Sequence, residues 1–221
     1  PESGKAAKGT NIVNIIQVEM GERVQAMIHF RDLNAENLFL TMVTRNGTVT
    51  RLPVETLKNL RNNGIRALNL DEGDELVSVR ETDGEQKILI ATHDGMAVVF
   101  DETDVRAMGR TAVGVRGIKL ADGDYVIGAA RARKDAYVLS VTENGYGKRT
   151  KMDEYRAQSR GGKGVRGMAT REEDYVESVF TASTHDFILF FSSRGQVYVR
   201  KGYQIPEAGR SARGTHIVNI L

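Results

Sequence analysis

A period of about 50 residues is the feature that most limits what this 221-residue chain can fold into. A glycine followed by alternating apolar residues recurs at Gly9, Gly64, Gly114, Gly164 and Gly214, at spacings of 55, 50, 50 and 50. An acidic turn follows, at Met20-Gly21-Glu22, Glu72-Gly73-Asp74, Asp122-Gly123-Asp124 and Glu172-Glu173-Asp174. A third marker is a hairpin turn at Asn46-Gly47, Asp94-Gly95, Asn144-Gly145 and Arg194-Gly195. Three of those four pairs suit a two-residue turn, because both residues tolerate positive φ. Three markers on one period indicate a repeat architecture.

Each unit holds four candidate strands. The first runs from the leading glycine to the acidic turn, and the second leaves that turn, as at 75–79, 125–127 and 175–179. The third is almost wholly apolar, as in Ile88-Leu89-Ile90 and Phe187-Ile188-Leu189-Phe190-Phe191, and a run with no polar face belongs inside a sheet, buried on both sides. The fourth leaves the hairpin turn, as at 48–51 and 196–201. Four short strands per 50 residues, repeated four times, predict an all-β, propeller-like ring of four-stranded blades. A two-sheet sandwich is the alternative, but sandwiches do not usually keep a sequence period. The expected organisation is one domain over 1–221, with units at about 9–63, 64–113, 114–163 and 164–213 and a duplicated start at 214–221.

Thirty-one Lys plus Arg against twenty-nine Asp plus Glu leave a net charge of +2, so any affinity for nucleic acid must come from where the cations sit. They collect in the connectors between units: Lys5 to Lys8, Lys58 to Arg61, Arg106 to Arg110, Arg156 to Lys163, and Arg210 to Arg213. A first strand of about six residues, rising roughly 3.3 Å per residue, sets the basic connector and the acidic turn at opposite ends. Arg51, Lys148, Arg149, Arg200 and Lys201, in or after fourth strands, are expected to add charge at the outer perimeter. The densest connector is Gln158-Ser159-Arg160-Gly161-Gly162-Lys163-Gly164, closing into Val165-Arg166-Gly167-Met168. Its glycines permit close backbone approach, and its cations and free N–H groups suit phosphates. A surface turn with merely solvated cations is the plainer reading.

Catalytic chemistry finds little support. With no cysteine, disulfides and thiolate metal sites are excluded. His29, His93, His185 and His216 show no metal-ligand spacing, and the acidic residues mostly occupy turns. Gly161-Gly162-Lys163-Gly164 lacks the spacing of a nucleotide phosphate loop. The tyrosines read as strand packing, with Tyr155 and Tyr203 as exceptions near basic loops. No apolar run approaches the roughly 20 residues of a membrane helix, and no leader is apparent at the N-terminus, so the expected location is the cytoplasm.

The heptad at 158–164 resembles Gln-Arg-Arg-Gly-Gly-Lys-Gly, the mark of the C-terminal DNA-wrapping domain family of DNA gyrase A. The resemblance spans essentially the whole chain, through Arg106-Ala107-Met108-Gly109-Arg110, Gly114-Val115-Arg116-Gly117-Ile118, Asn144-Gly145-Tyr146-Gly147-Lys148-Arg149-Thr150, and Thr184-His185-Asp186 with Ser192-Ser193-Arg194-Gly195. It implies a β-pinwheel whose neighbouring blades exchange strands. It also implies a non-catalytic module, without cofactor, that bends double-stranded DNA around a basic perimeter and so supports negative supercoiling. Its partners would be DNA and the remainder of gyrase, the catalytic A-subunit core and the B subunit. The implied contacts are Arg51, Arg106, Arg110, Lys148, Arg149, Arg156, Gln158, Arg160, Gly161, Gly162, Lys163, Gly164, Arg166, Arg200, Lys201, Arg210 and Arg213. The related topoisomerase IV domain and a propeller-like protein scaffold are the alternatives. Ser159 departs from the family heptad, and the unit that resembles the family's first comes last here.

Residues 1–10 and 206–215 are near-copies. In a ring closing after four units they compete for one slot, which leaves three explanations: a piece of a longer array, a permuted or engineered domain, or strand-swapped self-association.

Overall fold

The computed structural model describes all residues except 1, 3, 12, 13, 17, 19, 20 and 60–63. Pro1 and Ser3 of the duplicated segment, Ile12 and Val13 of the Gly9 run, Met20 of the first acidic turn and Arg61 of the second connector therefore lie outside the described residues. Fourteen strands are present among those described: β1 (Phe39–Thr44), β2 (Thr48–Pro53), β3 (Leu76–Thr82), β4 (Lys87–Thr92), β5 (Met96–Asp101), β6 (Val115–Arg116), β7 (Val126–Arg131), β8 (Tyr137–Thr142), β9 (Tyr146–Lys151), β10 (Val165–Arg166), β11 (Val176–Ala182), β12 (Phe187–Phe191), β13 (Val197–Lys201) and β14 (Thr215–His216). The all-β expectation holds, and the four hairpins fall at the predicted turns.

The strands of one sequence unit do not share a sheet, which corrects the simplest reading of the repeat. The sheet orders are β3-β1-β2-β6, β7-β4-β5-β10 and β11-β8-β9-β14. Each of these three hairpins thus receives one flanking strand from the next unit and the other from the unit after that. The runs after Gly9 and Gly64 form no strand among the described residues, and of the near-copies at the two ends it is the later one that pairs, through β14 and β9.

Two local devices explain why the markers keep their period. The first is close approach at the leading glycine, where the chain crosses onto a finished hairpin. A Cβ on Gly114 would lie 2.6 Å from the Val49 carbonyl oxygen, and one on Gly164 would lie 2.4 Å from that of Ala97. Both glycines also have positive φ, a conformation that costs an L-residue roughly 1–2 kcal/mol. The second device is a carboxylate clasp. Asp74 Oδ1 accepts the Asn46 N–H at 2.9 Å, Asp124 Oδ1 that of Asp94 at 3.0 Å, and Asp174 Oδ1 that of Asn144 at 3.1 Å. Each of these three acidic turns therefore pins the hairpin turn of the preceding unit.

The first strand pairs over two residues, not six. Beyond β6, the N–H groups of Gly117 and Ile118 both donate to the Gly47 carbonyl, which ends the ladder at the hairpin turn and drops Ile118 into the core. In the central hairpin the period-2 alternation divides the apolar residues between two faces. Ile88, Ile90, Val98 and Phe100 pack with Val43, Val49 and Ile118, whereas Leu89, Ala91, Ala97 and Val99 pack with Val138, Met152 and Tyr155. That is the burial on both sides expected of third strands. β12 departs from it: Phe187, Leu189 and Phe191 are 63%, 50% and 75% exposed, because the β12–β13 hairpin carries no flanking strand among the described residues.

Lys148, expected at the outer perimeter, is instead 1% exposed. Its Nζ donates to the carbonyls of Gly209 at 2.8 Å and Arg210 at 2.6 Å, tying the last connector to β9. Burial pulls its pKa from 10.5 down to about 8. Below pH 8 both folded and unfolded chains carry the charge, and the fold bears the cost of burying it. Between pH 8 and 10.5 the folded lysine is neutral while the unfolded one still holds its proton, so this group makes stability rise with pH. In urea unfolding, the advantage of the wild type over Lys148→Met should therefore grow from about pH 8 towards 10.5, by up to a few kcal/mol. An advantage that shrinks over that window contradicts the assignment. Gly123 has positive φ but open space around its Cβ position, so Gly123→Ala should cost about 1 kcal/mol and Gly114→Ala at least twice that by the same measurement.

Candidate nucleic-acid interface

The last three connectors each lie against the opening segment of a unit. The Asn69 N–H donates to the Ala112 carbonyl at 3.0 Å, that of Lys119 to Gly162 at 2.8 Å, and that of Ala169 to Ala212 at 3.4 Å. Each of these three connectors thereby rests on the segment that opens the preceding unit. Arg106, Arg110, Arg116, Lys119, Arg156, Lys163 and Arg166 are exposed along this succession. Arg116 and Lys119 were not singled out from the sequence, although the recurrence of Gly-Val-Arg-Gly places Arg116 where Arg166 stands one unit later.

The heptad is built as a braced loop. The Gln158 N–H donates to the Val99 carbonyl at 2.9 Å and the Gly161 N–H to that of Gly117 at 2.7 Å. The Arg160 guanidinium spans two neighbours, with Nε donating to the Asp104 carbonyl at 2.8 Å and Nη1 to that of Arg116 at 3.2 Å. Arg210 repeats the arrangement one unit on, with Nη1 donating to the Arg166 carbonyl at 2.7 Å. Gly164 meets the Ala97 carbonyl and Gly161 faces that of Arg116, so these glycines serve packing within the chain before they serve any partner. Gly162 lies beside Gln158 Oε1. Lys163 is the exposed cation of the loop.

Other expected contacts are occupied internally. Arg51, 11% exposed at its side chain, lies 3.5 Å from the buried Glu102 carboxylate and over the Phe39 ring. Arg149 donates through Nε to the Ile205 carbonyl and pairs with Glu207 at 2.9 Å. Arg200 binds the Ile220 and Leu221 carbonyls. Lys201 Nζ donates to the His185 carbonyl and sits 3.4 Å over the Phe187 ring, and Arg213 stacks 3.3 Å over Tyr146. The fourth-strand cations hold connectors and hairpin ends together. Tyr155 is 4% exposed, and burial pushes its phenol up to about 12, so it belongs to the core; Tyr203 is exposed.

The expected separation of charge does not hold. Lys163 and Arg166 line a recess of about 440 Å³ together with Lys119, Asp94, Asp122 and Asp124. The short pairing of the first strand lets the next connector fold back over the acidic turn, so cations and carboxylates meet there. His93, Asp94 and Asp124 bring ligand-type atoms within 4.8 Å of one another. Their bonds are largely internal: His93 Nδ1 to Asp94 at 2.9 Å, and Asp124 Oδ1 to the N–H groups of Asp94 and Tyr125. His93 is also sandwiched between the rings of Tyr125, at 4.5 Å, and Tyr175, at 4.3 Å.

Comparison with known proteins agrees with this architecture. The family described as DNA gyrase C-terminal domain, beta-propeller matches residues 39–83, 86–133, 136–183 and 186–220, four segments that each begin at a hairpin, the first three running into the strand that flanks it. The chain is 47% identical over 114 residues to the DNA gyrase A protein of Clostridium acetobutylicum and 42% over 114 residues to that of Halalkalibacterium halodurans. These matches cover 52% of this chain and 14% of each relative, so it corresponds to a small part of their length. Among solved structures, the C-terminal domain of DNA topoisomerase IV superposes with a TM-score of 0.86 at 28% identity, covering 95% of this chain and 66% of that one. The C-terminal domain of DNA gyrase A superposes with a TM-score of 0.85 at 27% identity, covering 95% and 71%. With hairpins, exchanged strands and connectors all falling within the matched segments, the chain belongs to the DNA gyrase C-terminal domain family.

Proposed function

We propose that the chain is a non-catalytic module that binds double-stranded DNA along its phosphate backbone and bends it. The observation that supports this reading is the repeated backbone contact between a connector and the opening segment of a unit, with Arg106, Arg116, Lys119, Lys163 and Arg166 exposed on those segments. Cations on loops reach phosphates more readily than base edges, so binding is weakly sequence-specific. Bending 20–30 base pairs by 40–90° costs on the order of 1–6 kcal/mol, which several contacts along a curve offset and one loop does not. In a parent gyrase the module would act beside the catalytic A-subunit core and the B subunit, in the cytoplasm, and would support negative supercoiling. The whole 1–221 array acts as one module in this reading, and strand-swapped self-association through the duplicated terminal segment is one of the three explanations that the near-copies leave. The topoisomerase IV domain is the second reading, favoured by its equally good superposition; the nearly intact heptad favours gyrase.

About six neutralised phosphates give a slope of log K against log salt of roughly −5. Lys163→Ala combined with Arg166→Ala should flatten that slope by about 2, as read by fluorescence anisotropy across a salt series. An unchanged slope rejects the path. Arg160 braces the loop between Asp104 and Arg116, so Arg160→Ala should lower bending, followed by end-to-end energy transfer on a labelled duplex, more than it lowers affinity. Equal losses in the two assays contradict a positioning role.

A further inference from the structure

Three side chains meet at the central hairpin turn in a way that the aspartate clasp does not require. The clasp uses a backbone N–H of the hairpin turn and one oxygen of the aspartate that follows. It forms equally with Asn46 or Asn144 in the place of Asp94, and with Arg45 or Glu143 in the place of His93. At the central turn the side chains are instead His93, Asp94 and Asp124, whose ligand-type atoms all lie within 4.8 Å of one another. Two carboxylates so placed repel each other, and the clasp gains nothing from the second.

The geometry fits a shared cation. An imidazole nitrogen and carboxylate oxygens bind a divalent first-row ion at about 2.0–2.2 Å, so neighbouring ligand atoms on one ion stand about 3 Å apart. His93 Nδ1 and Asp94 Oδ1 are 2.9 Å apart. The rings of Tyr125 and Tyr175 hold the imidazole from both sides, which fixes its plane. Asp124 supplies an observation independent of that spacing. It is only 9% exposed, its Oδ1 is taken by the N–H groups of Asp94 and Tyr125, and its Oδ2 accepts no hydrogen bond from any described residue. A carboxylate so far withdrawn from water is stabilised when a cation or a donor meets its second oxygen.

Asp124 lines the recess of about 440 Å³ together with Asp94 and Asp122, and Lys119, Lys163 and Arg166 line it with them. Among the described residues none of these three cations pairs with a carboxylate, and the ion pair of Asp94 is with His93. The two signs of charge share one space without pairing. That suits a ligand carrying both signs, a cation on the carboxylates and an oxyanion on the lysines and arginine.

We propose that His93, Asp94 and Asp124 hold a divalent first-row cation, and that a coordination position it keeps open takes a phosphate oxygen beside Lys163 and Arg166. An ion with three protein ligands keeps a position for a ligand from outside. Imidazole with two carboxylates suits Mn²⁺ or Zn²⁺ better than Mg²⁺, which prefers oxygen alone. The cation half of the proposal stands without DNA. The phosphate half rests on the duplex reading, and it gives the carboxylates a role beside cations that meet a polyanion: with the ion bound they draw a phosphate in, where alone they repel it.

Mn²⁺ alone is the probe, with the whole chain and no DNA. A titration followed by the electron paramagnetic resonance of the free ion should show Mn²⁺ taken up by the wild type and released by EDTA. Asp94→Asn, which installs the residue found at the other two clasps, should keep the urea midpoint and bind Mn²⁺ about tenfold more weakly or worse. Asp122→Asn removes a carboxylate of the recess outside the ligand set and should change that affinity by less than about twofold, since it acts only through screened charge. No uptake by the wild type, or an equal loss in the two variants, overturns the cation site. Duplex affinity, read by fluorescence anisotropy at fixed ionic strength, tests the phosphate half. Mn²⁺ at a level that fills the site should raise wild-type affinity about threefold or more and leave Asp94→Asn nearly unchanged. An equal rise in both, or none in either, overturns that half. A chain that binds no duplex with or without Mn²⁺ rejects the duplex reading and the phosphate half with it, while the titration without DNA still decides the cation site.

Discussion

The structure depends on the crossing point where a leading glycine lies against the backbone of a hairpin laid down two units earlier. At Gly114, Gly164 and Gly214 the approach to the opposing carbonyl leaves no room for a Cβ, and a side chain at any of them would push the incoming strand off its ladder. From that contact follow the two-residue pairing of β6, β10 and β14, the burial of Ile118 and Met168 just beyond it, and the return of the next connector over the same segment. The aspartate clasp supports the same step from the other side, since Asp124 and Asp174 are nearly buried and each fixes a hairpin turn of the unit before. No unit is complete alone, so cooperativity between neighbours is built into the topology.

The same interlocking decides which cations remain for a partner. An arginine at the end of a fourth strand faces the following connector, whose carbonyls and carboxylates are close enough to take it up, as Glu102 takes Arg51 and Glu207 takes Arg149. Lys148 goes further and is buried against two carbonyl oxygens. A phosphate competing for these groups would have to displace contacts that hold the sheets in place. Among the described residues the cations of the connector loops carry no such duty, Arg160, Arg210 and Arg213 excepted. On the proposed reading, affinity for a polyanion would reside at the connectors, while the perimeter arginines hold the segments on which the connectors lie.

Much of the fold was legible in the sequence because its markers are local: a two-residue turn, an acidic turn and an apolar run each declare themselves within a few residues. Their pairing was not, because nothing in the order of four strands says that Val115 lies beside Val49 while Val126 lies beside Thr92. The site was legible in part for the same reason. The heptad stood out by composition, yet the roles of its members depend on carbonyls contributed by residues about 40 to 60 positions away, as with Arg160 on Asp104 and Arg116. Burial of Lys148 was beyond reach, since a lysine in a Gly-Lys-Arg-Thr run reads as exposed until the segment that covers it is placed.

Across three sheets the acidic turns also build a ladder of stacked side chains. Arg45 pairs with Glu75 at 3.4 Å and lies 3.5 Å over Tyr125, His93 follows between Tyr125 and Tyr175, and a hydrogen bond to Glu143 holds the Tyr175 phenol up at about 12. Arg45 and His93 come from hairpin turns, and the two tyrosines directly follow clasping aspartates, so each rung joins groups that the clasp has already brought together. Stacked cations and rings contribute about 0.5–1 kcal/mol per contact at exposed sites, too little to define the fold. What they add is resistance to rotation between neighbouring sheets, because a small turn about the shared axis separates rings that are in contact only face to face. On the proposed reading, a surface that bends a stiff polymer has to hold its own curvature against the restoring force, and this ladder would stiffen it without using Arg116, Lys119, Lys163 or Arg166.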